Sequence, residues 1–379
     1  MNLNKIINFV KKNNSQSHLC ICNSGLFDIT IFNGLYGFPH SGYKRNKSFW
    51  RSLSSMYNIG KNDLLFFYRT NGNIAGCQEI HGPFKIHDID SQPSIYYDLE
   101  SKDFDMRIND ETDCKVRFLF SKFENEVCSI ADKFEVIKRF EFRDLWGYRH
   151  PSVMNIGSAR KKSVTAFSNK QTLVFLELLE KCGVVREYLN EEIPVIERIK
   201  YFNEIKPTDY LFRINSDFLA SNFSEDEAYL YSYFISALKN KINYYSSDVL
   251  KDFSIINNEL LNTGKLEFKE LFNAMLEVIV TTHLQDELDV ILTDKEDKAI
   301  LAMEFKVGIL NQGDIDQIEK YLDLFNSIYP DKMNYANLIG SSKEVGIKIS
   351  KRFTNKIKLV KYSVVSDSPV KIRFADITG

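Results

Sequence analysis

The sequence predicts a multidomain protein of mixed α+β and α/β class, and three observations predict it. Residues 286–292 and 299–306 are apolar runs of strand length, and a helix-periodic segment at 314–322 follows them, the order of an α/β unit. Residues 1–165 hold short apolar and aromatic runs broken by Gly, Asn and Pro, the punctuation of a mostly β domain. Residues 166–260 carry helical periodicity with cap signals. A length of 379 residues suffices for two or three domains, and these boundaries divide it into 1–165, 166–260 and 261–379.

The elements follow in order. Strands are expected at His18–Asn23, Leu64–Arg69, Ile74–Ile80, Cys114–Phe120 and Glu135–Phe140, each an apolar run bounded by turn residues. Thr172–Cys182 reads as a helix closed by Gly183. Ser224, with Glu227 three residues later, reads as a capping box opening a helix, and Leu230, Phe234, Leu238 and Ile242 give it an i+4 stripe. The acidic stretch 186–210 between these helices reads as a connector. A further helix is expected over Lys265–Val280, with Leu271, Phe272, Met275, Leu276 and Ile279 as its apolar face.

Composition narrows the class. Charged residues are 26% and hydrophobic residues 44%, ordinary for a soluble globular protein. No apolar run reaches the length of a membrane span, and the N-terminal residues lack a signal-peptide core, so a cytoplasmic protein without a membrane partner is expected. Six cysteines, at 20, 22, 77, 114, 128 and 182, form no C-x-x-C pair; reduced thiols are expected, and zinc is not. The net charge of −2 does not announce a nucleic-acid binder, but its distribution does more. Residues 341–379 hold nine Lys or Arg against three acids. A second basic group is Arg149 with Arg160, Lys161 and Lys162. These four residues, with Lys351 and Arg352, are the candidates for a phosphate backbone. A solvated charged face is the alternative for each group.

Chemistry concentrates at 286–306. The first strand is apolar with Asp289 inside it, and the second places Glu304 and Lys306 on one face, because side chains two apart in a strand point the same way. An E-x-K tripeptide usually marks a solvated edge. Here Ala299, Ile300, Leu301, Ala302, Met303, Phe305 and Val307 are too apolar for one and indicate a buried central strand. Charges inside such a hairpin are costly unless paired. Asp289 and Glu304 are hard oxygen ligands suited to Mg²⁺, with Mn²⁺ as a possible substitute, and Lys306 would orient a water or neutralise a phosphate.

This set resembles the PD-(D/E)XK nuclease superfamily. Asp289 stands at the first acid, Glu304 at the second and Lys306 at the lysine; Leu288 stands where the pattern has proline. Gln317 and Tyr321, four apart on the following helix, match the Gln-x-x-x-Tyr of several branches. The resemblance implies a restriction-endonuclease-like α/β domain, with Gln317 near the metal site and an acid on a preceding helix. Glu270 is the first choice for that acid and Glu277 the second, with Glu267 also on the expected helix.

The N-terminal part resembles the EVE and YTH domains, which are PUA-like β-barrels. The resemblance rests on Phe49-Trp50-Arg51-Ser52, on Gly60-Lys61-Asn62-Asp63 leading into Leu64-Leu65-Phe66-Phe67-Tyr68, and on Ile74-Ala75-Gly76 leading to Glu79. It implies an aromatic-walled pocket for a modified base, in which a methyl group gains apolar contact and stacking. The candidate base-binding residues are Trp50, Tyr68, Trp146 and Asn155. For Trp50, core packing is the alternative. His81 and His150 belong to no catalytic constellation.

Together the two resemblances imply a modification-dependent, restriction-type DNA endonuclease using Mg²⁺, with a helical spacer between reader and nuclease. Cutting both strands with one site per chain implies a homodimer. The alternatives are a nuclease for RNA or branched DNA, and a non-catalytic nucleic-acid-binding protein.

Overall fold

The computed structural model describes residues 3–23, 35–40, 47–60, 62–70, 79–86, 94–97, 114–122, 128–132, 164–186, 211–213, 223–239, 273–279, 287–294, 298–367 and 370–379. Within them the chain is a mixed α+β protein built on two main sheets.

The first sheet gathers the N-terminal elements. Helix α1 (Leu3–Asn13) leads into β1 (Ser17–Asn23) and β2 (Leu35–His40), and helix α2 (Lys47–Asn58) into β3 (Leu64–Thr70). Then come β4 (Glu79–Ile86), β5 (Ser94–Tyr97), β6 (Cys114–Lys122), β7 (Cys128–Asp132) and β8 (Val164–Phe167). Helix α3 (Asn169–Cys182) follows, with β9 (Gly183–Arg186) and β10 (Leu211–Arg213). β1 and β3 are parallel, a pairing that needs a crossover, and α2 lies in it. Leu64, Phe66 and Tyr68 face α1 and α3, packing with Ile6, Val10, Phe175 and Leu179. Leu65 and Phe67 face the other way and pack with Leu53, Met56 and Tyr57 of α2. Burial on both faces is why Leu64–Tyr68 reads as an unbroken apolar run rather than an alternating one.

The segment 166–260, expected as a helical spacer, does not stand apart in its described residues. β8 pairs antiparallel with β1, and β9 with β7, so this stretch completes the first sheet. Its second helix, α4 (Glu227–Leu238), has every residue from Ala228 to Ala237 buried. Asp226 caps it, its carboxylate accepting from the Ala228 amide at 2.8 Å. The helix therefore starts two residues later than the Ser224 capping box implied, because the carboxylate reaches the first-turn amides directly.

The second sheet has the order β11 (Asn273–Ile279), β12 (Glu287–Thr293), β13 (Ala299–Phe305), β15 (Met333–Gly340), β17 (Ile357–Asp367) and β18 (Val370–Asp376). β13, β15 and β17 are parallel, and helix α5 (Gln312–Ile328) makes the crossover from β13 to β15. Asn311 and Asp314 form its reciprocal capping box. Between these lie the short β14 (Ile309–Leu310) and β16 (Ser342–Lys343), paired in parallel. Asp294 closes the β12–β13 turn by accepting from the amides of Lys298 and Ala299 at 2.6 and 3.0 Å.

The helix expected over 265–280 is corrected. From Asn273 the chain is strand β11, antiparallel to β12 with Leu276 opposite Val290. Its apolar residues recur at a helical spacing, but pairing with β12 overrides that local signal.

The two sheets meet along β8 and β11. Gln16, just before β1, donates from Nε2 to the carbonyls of Phe167 and Ala274 at 3.2 and 3.0 Å. Its Oε1 accepts from the Ala274 amide at 3.3 Å and from Lys239 Nζ at 2.6 Å. Asn58 at the end of α2 adds a bond to the Ala274 carbonyl at 2.7 Å. One continuous core joins α2 and α4 to β12, β13 and β18. Among the described residues, no helix is long and apolar enough to cross a membrane.

Candidate active site

Asp289 and Glu304 come from adjacent antiparallel strands. The register sets Val290 opposite Met303 and Ile291 opposite Ala302, and its continuation sets Asp289 opposite Glu304. Both acids are buried, at 9% and 4% exposure. Each is tied to the neighbouring strand's backbone: the Phe305 amide donates to Asp289 Oδ2 at 2.8 Å, and the Asp289 amide to Glu304 Oε2 at 3.4 Å. Lys306 follows the last residue of β13. Its amide donates to the Ile339 carbonyl at 2.7 Å, which prolongs the parallel ladder, and its Nζ lies 2.9 Å from Glu304 Oε1. The Asp, Glu and Lys of the sequence motif are therefore brought together at one end of the sheet.

Burial pushes the Asp289 carboxyl well above the usual carboxylate range, and the charge of Glu304 pushes it further; the Phe305 amide and Lys306 oppose both. Burial likewise raises Glu304, with Lys306 pulling the other way. For Lys306 burial favours the neutral amine, but the Glu304 charge and hydrogen bond outweigh it and hold the ammonium. The site thus concentrates negative charge where water does not screen it.

A third carboxylate acts on this set. Glu227, the first residue of α4, adds its negative field to Asp289, Glu304 and Lys306 alike. It is placed there because α4 lies against β12 and β13, with Tyr231 and Phe234 set against the Phe305 ring at centroid distances of 6.2 and 6.1 Å. Sequence reasoning missed Glu227 by treating it as half of a capping box. The available signal was an acid in the first turn of a helix otherwise apolar on all sides.

The donor chemistry fits a small divalent cation. Two carboxylates held face to face by their own backbone, each destabilised as an anion, gain from a dication between them. Among the described residues no group of three or more His, Cys, Asp and Glu forms a ready-made cage. Mg²⁺ retains waters and takes few protein ligands, so a two-carboxylate set suits it.

Gln317 on α5 is half-buried and donates from Nε2 to the Tyr321 hydroxyl at 2.7 Å. Tyr321 is buried against Ile291, Ile300 and Ala302.

The remaining expected site residues divide. Trp50 is fully enclosed, its indole edge-on to Tyr229 at 4.9 Å, and Tyr68 is buried beside α1 and α3. Neither ring presents a face on which a base can stack; this corrects their assignment as pocket walls. The helix pairing of α2 with α4 consumes Trp50, and the two-sided burial of β3 consumes Tyr68. Lys351 and Arg352 are exposed on a single 3₁₀ turn, Lys351–Phe353, and Arg352 pairs with Asp323 of α5 at 2.5 Å. Glu277 lies on strand β11 rather than on a helix. Glu267, Glu270, Trp146, Arg149, Asn155, Arg160, Lys161 and Lys162 lie outside the described residues.

Compared with known proteins, the chain matches no protein-family model and no curated sequence.

Proposed function

We propose that the chain is a metal-dependent nuclease that hydrolyses phosphodiesters of DNA, in the manner the PD-(D/E)XK resemblance implies. The observation that carries this reading is the facing pair Asp289 and Glu304 with Lys306 on Glu304, at the end of a mixed sheet. Asp289 and Glu304 would hold Mg²⁺, with Glu227 adding negative charge nearby. The ion, when bound, supplies polarisation of the phosphate and a more acidic water. Lys306 keeps a full positive charge at the rim, where it orients the water's lone pair or meets charge growing on the phosphate. Gln317 braces the α5 side of the site through Tyr321.

Recognition of a modified base remains part of the proposal, as do the PUA-like barrel, a homodimer and backbone contacts from the basic residues. With Trp50 and Tyr68 in the core, Trp146 and Asn155 are the residues left to carry base recognition. The test is cleavage of matched unmodified, cytosine-modified and adenine-methylated duplexes with Mg²⁺, using wild type and Lys306→Ala. Cutting of one modified duplex, lost in the variant, supports the whole reading. Equal cutting of all three removes the modified-base element. No cutting of any removes the DNA nuclease.

A further inference from the structure

The hairpin of β17 and β18 outruns the rest of its sheet. The register carries Phe305 of β13 to Ile339 of β15, and Ile339 to Val360 of β17. The next residues along, Lys306, Gly340 and Lys361, therefore stand at one level. β13 ends at Phe305 and β15 at Gly340, whereas β17 runs on to Asp367 and β18 returns from Val370. At about 3.4 Å per residue, the hairpin projects about 20 Å past the end of the sheet where the acids and Lys306 lie. Its root is tied to that end: the Tyr362 hydroxyl donates to the carbonyl of Val307, the residue after Lys306, at 2.7 Å.

The two faces of this arm differ. Tyr362, Val364, Ile372 and Phe374 pack into the core that α4 joins. On the other face, Ile357 and Leu359 join the core under α5. Two residues further along, Lys361 is exposed, and Arg373, opposite Ser363, is exposed beside it. Lys371 lies two residues from Arg373 and shares its face. The two strands place no acid there: Asp376 stands opposite Val360 and pairs with Lys358 at 2.8 Å, and Asp367 stands opposite Val370. Among the described residues, neither Lys361 nor Arg373 has a carboxylate partner.

Cations that only guard a sheet edge against pairing belong on the edge strand, here β18. Lys361 comes from the inner strand β17, so a face is charged and not merely an edge. Val365 is the extra residue between the Val364–Ile372 and Ser366–Lys371 pairs, a bulge that increases the twist of the arm. A basic ribbon about 20 Å long spans roughly six nucleotide rises along one strand of a duplex. The acids at its root repel a polyanion, and cations along the arm offset that repulsion for the phosphates on either side of the cut.

We propose that the β17–β18 hairpin is an arm that tracks the backbone of duplex DNA leaving the cleavage site, with Lys361 and Arg373 each on a flanking phosphate. Arg373 forks onto two phosphate oxygens, and Lys361 meets its phosphate as a point charge. The proposal rests on the nuclease reading above.

The test is fluorescence-anisotropy binding of a labelled DNA duplex across a salt series with Ca²⁺ in place of Mg²⁺, and steady-state cleavage with Mg²⁺. Wild type is compared with Lys361→Ala/Arg373→Ala and with Lys11→Ala/Lys12→Ala, which removes the same charge from exposed positions on α1. These side chains are exposed, so the three proteins should share one Tm within a few degrees. The arm variant is expected to weaken binding about tenfold, lower the salt slope by about 1.8 and raise KM. The loss should be alike on modified and unmodified duplexes, because phosphate contacts carry no sequence information. The α1 variant should keep the wild-type slope. Wild-type affinity and slope in the arm variant, with wild-type cleavage intact, overturn the arm and leave the nuclease reading standing. Equal losses in the two variants overturn it as well, by tracing the effect to net charge. A wild type that neither binds nor cuts overturns the arm and the nuclease reading together.

Discussion

The side-chain amide of Gln16 pairs with both backbone groups of Ala274, donating to its carbonyl at 3.0 Å and accepting from its amide at 3.3 Å. A side chain thus acts as one residue of a strand partner for β11, the edge of the second sheet. An uncovered edge would template pairing with other chains. Here Gln16, Asn58 and the neighbouring β8 cover it.

Gln16→Ala should therefore lower global stability by on the order of 2–4 kcal/mol, since several buried bonds are lost and Lys239 loses an acceptor. Urea unfolding followed by tryptophan fluorescence and by far-ultraviolet circular dichroism should give one coincident, shifted transition. Two separated transitions would show that the sheets are energetically independent.

Asp63 anchors the same junction. It accepts from His18 Nε2 at 2.9 Å, from the Gly60 amide at 2.8 Å and from the Gln16 amide at 3.1 Å. Burial pushes its carboxyl up, but His18, Lys239 and the Gly60 amide together hold it below its usual value. A lowered folded value means the ionised form stabilises the fold above the ordinary carboxylate range, and that contribution is lost as pH falls through the lowered value. Asp63→Asn should thus destabilise the protein at neutral pH by about 1–3 kcal/mol, with the gap to wild type narrowing in acid. A gap independent of pH in urea titrations contradicts this.

Asp289 behaves in the opposite sense. Its raised carboxyl means that, in metal-free protein, stability falls as pH rises from the ordinary carboxylate range through the raised value. Asp289→Asn removes that penalty and should stabilise the metal-free protein at neutral pH. The same change should cut cleavage by at least about a hundredfold and abolish the rise in Tm on adding Mg²⁺. An asparagine variant that is less stable than wild type and still gains from Mg²⁺ would contradict the assignment.

Glu227→Gln should leave Tm within a few degrees and lower Mg²⁺ affinity and cleavage by about tenfold, because the residue contributes field rather than packing. Isothermal titration with Mg²⁺ alone reads this without substrate. Unchanged affinity would place Glu227 outside the site.

Trp50→Ala should cost about 3–5 kcal/mol, as a large buried ring is removed from the α2–α4 contact. Trp50→Phe should cost less and leave any preference among modified duplexes unaltered. A selective loss of that preference with intact stability would restore Trp50 to a base pocket.

What was legible in the sequence follows the strength of local signals. The β12–β13 hairpin was readable because two apolar runs carry acids at fixed places, and α5 because residues 314–322 carry a helical period with Gln317 and Tyr321 four apart. β1, β3, β6 and α3 were readable within a residue or three at each end. β11 was not, since Leu271, Phe272, Met275, Leu276 and Ile279 recur at a helical spacing, and only pairing with β12 decides the form. Glu227 was not, since its role depends on α4 lying across β12 and β13, a contact between residues more than fifty apart. Trp50 was misassigned because an aromatic residue looks the same in a cage and in a core until its neighbours are known.

Helix α4 touches α2 on one side and β12 and β13 on the other, with no solvent-facing stripe between Ala228 and Ala237. A surface helix can be inherited with one partner and fitted to another by changing a single face. This one must match both at once. The halves of the chain are thus bound to evolve together rather than by exchange of modules.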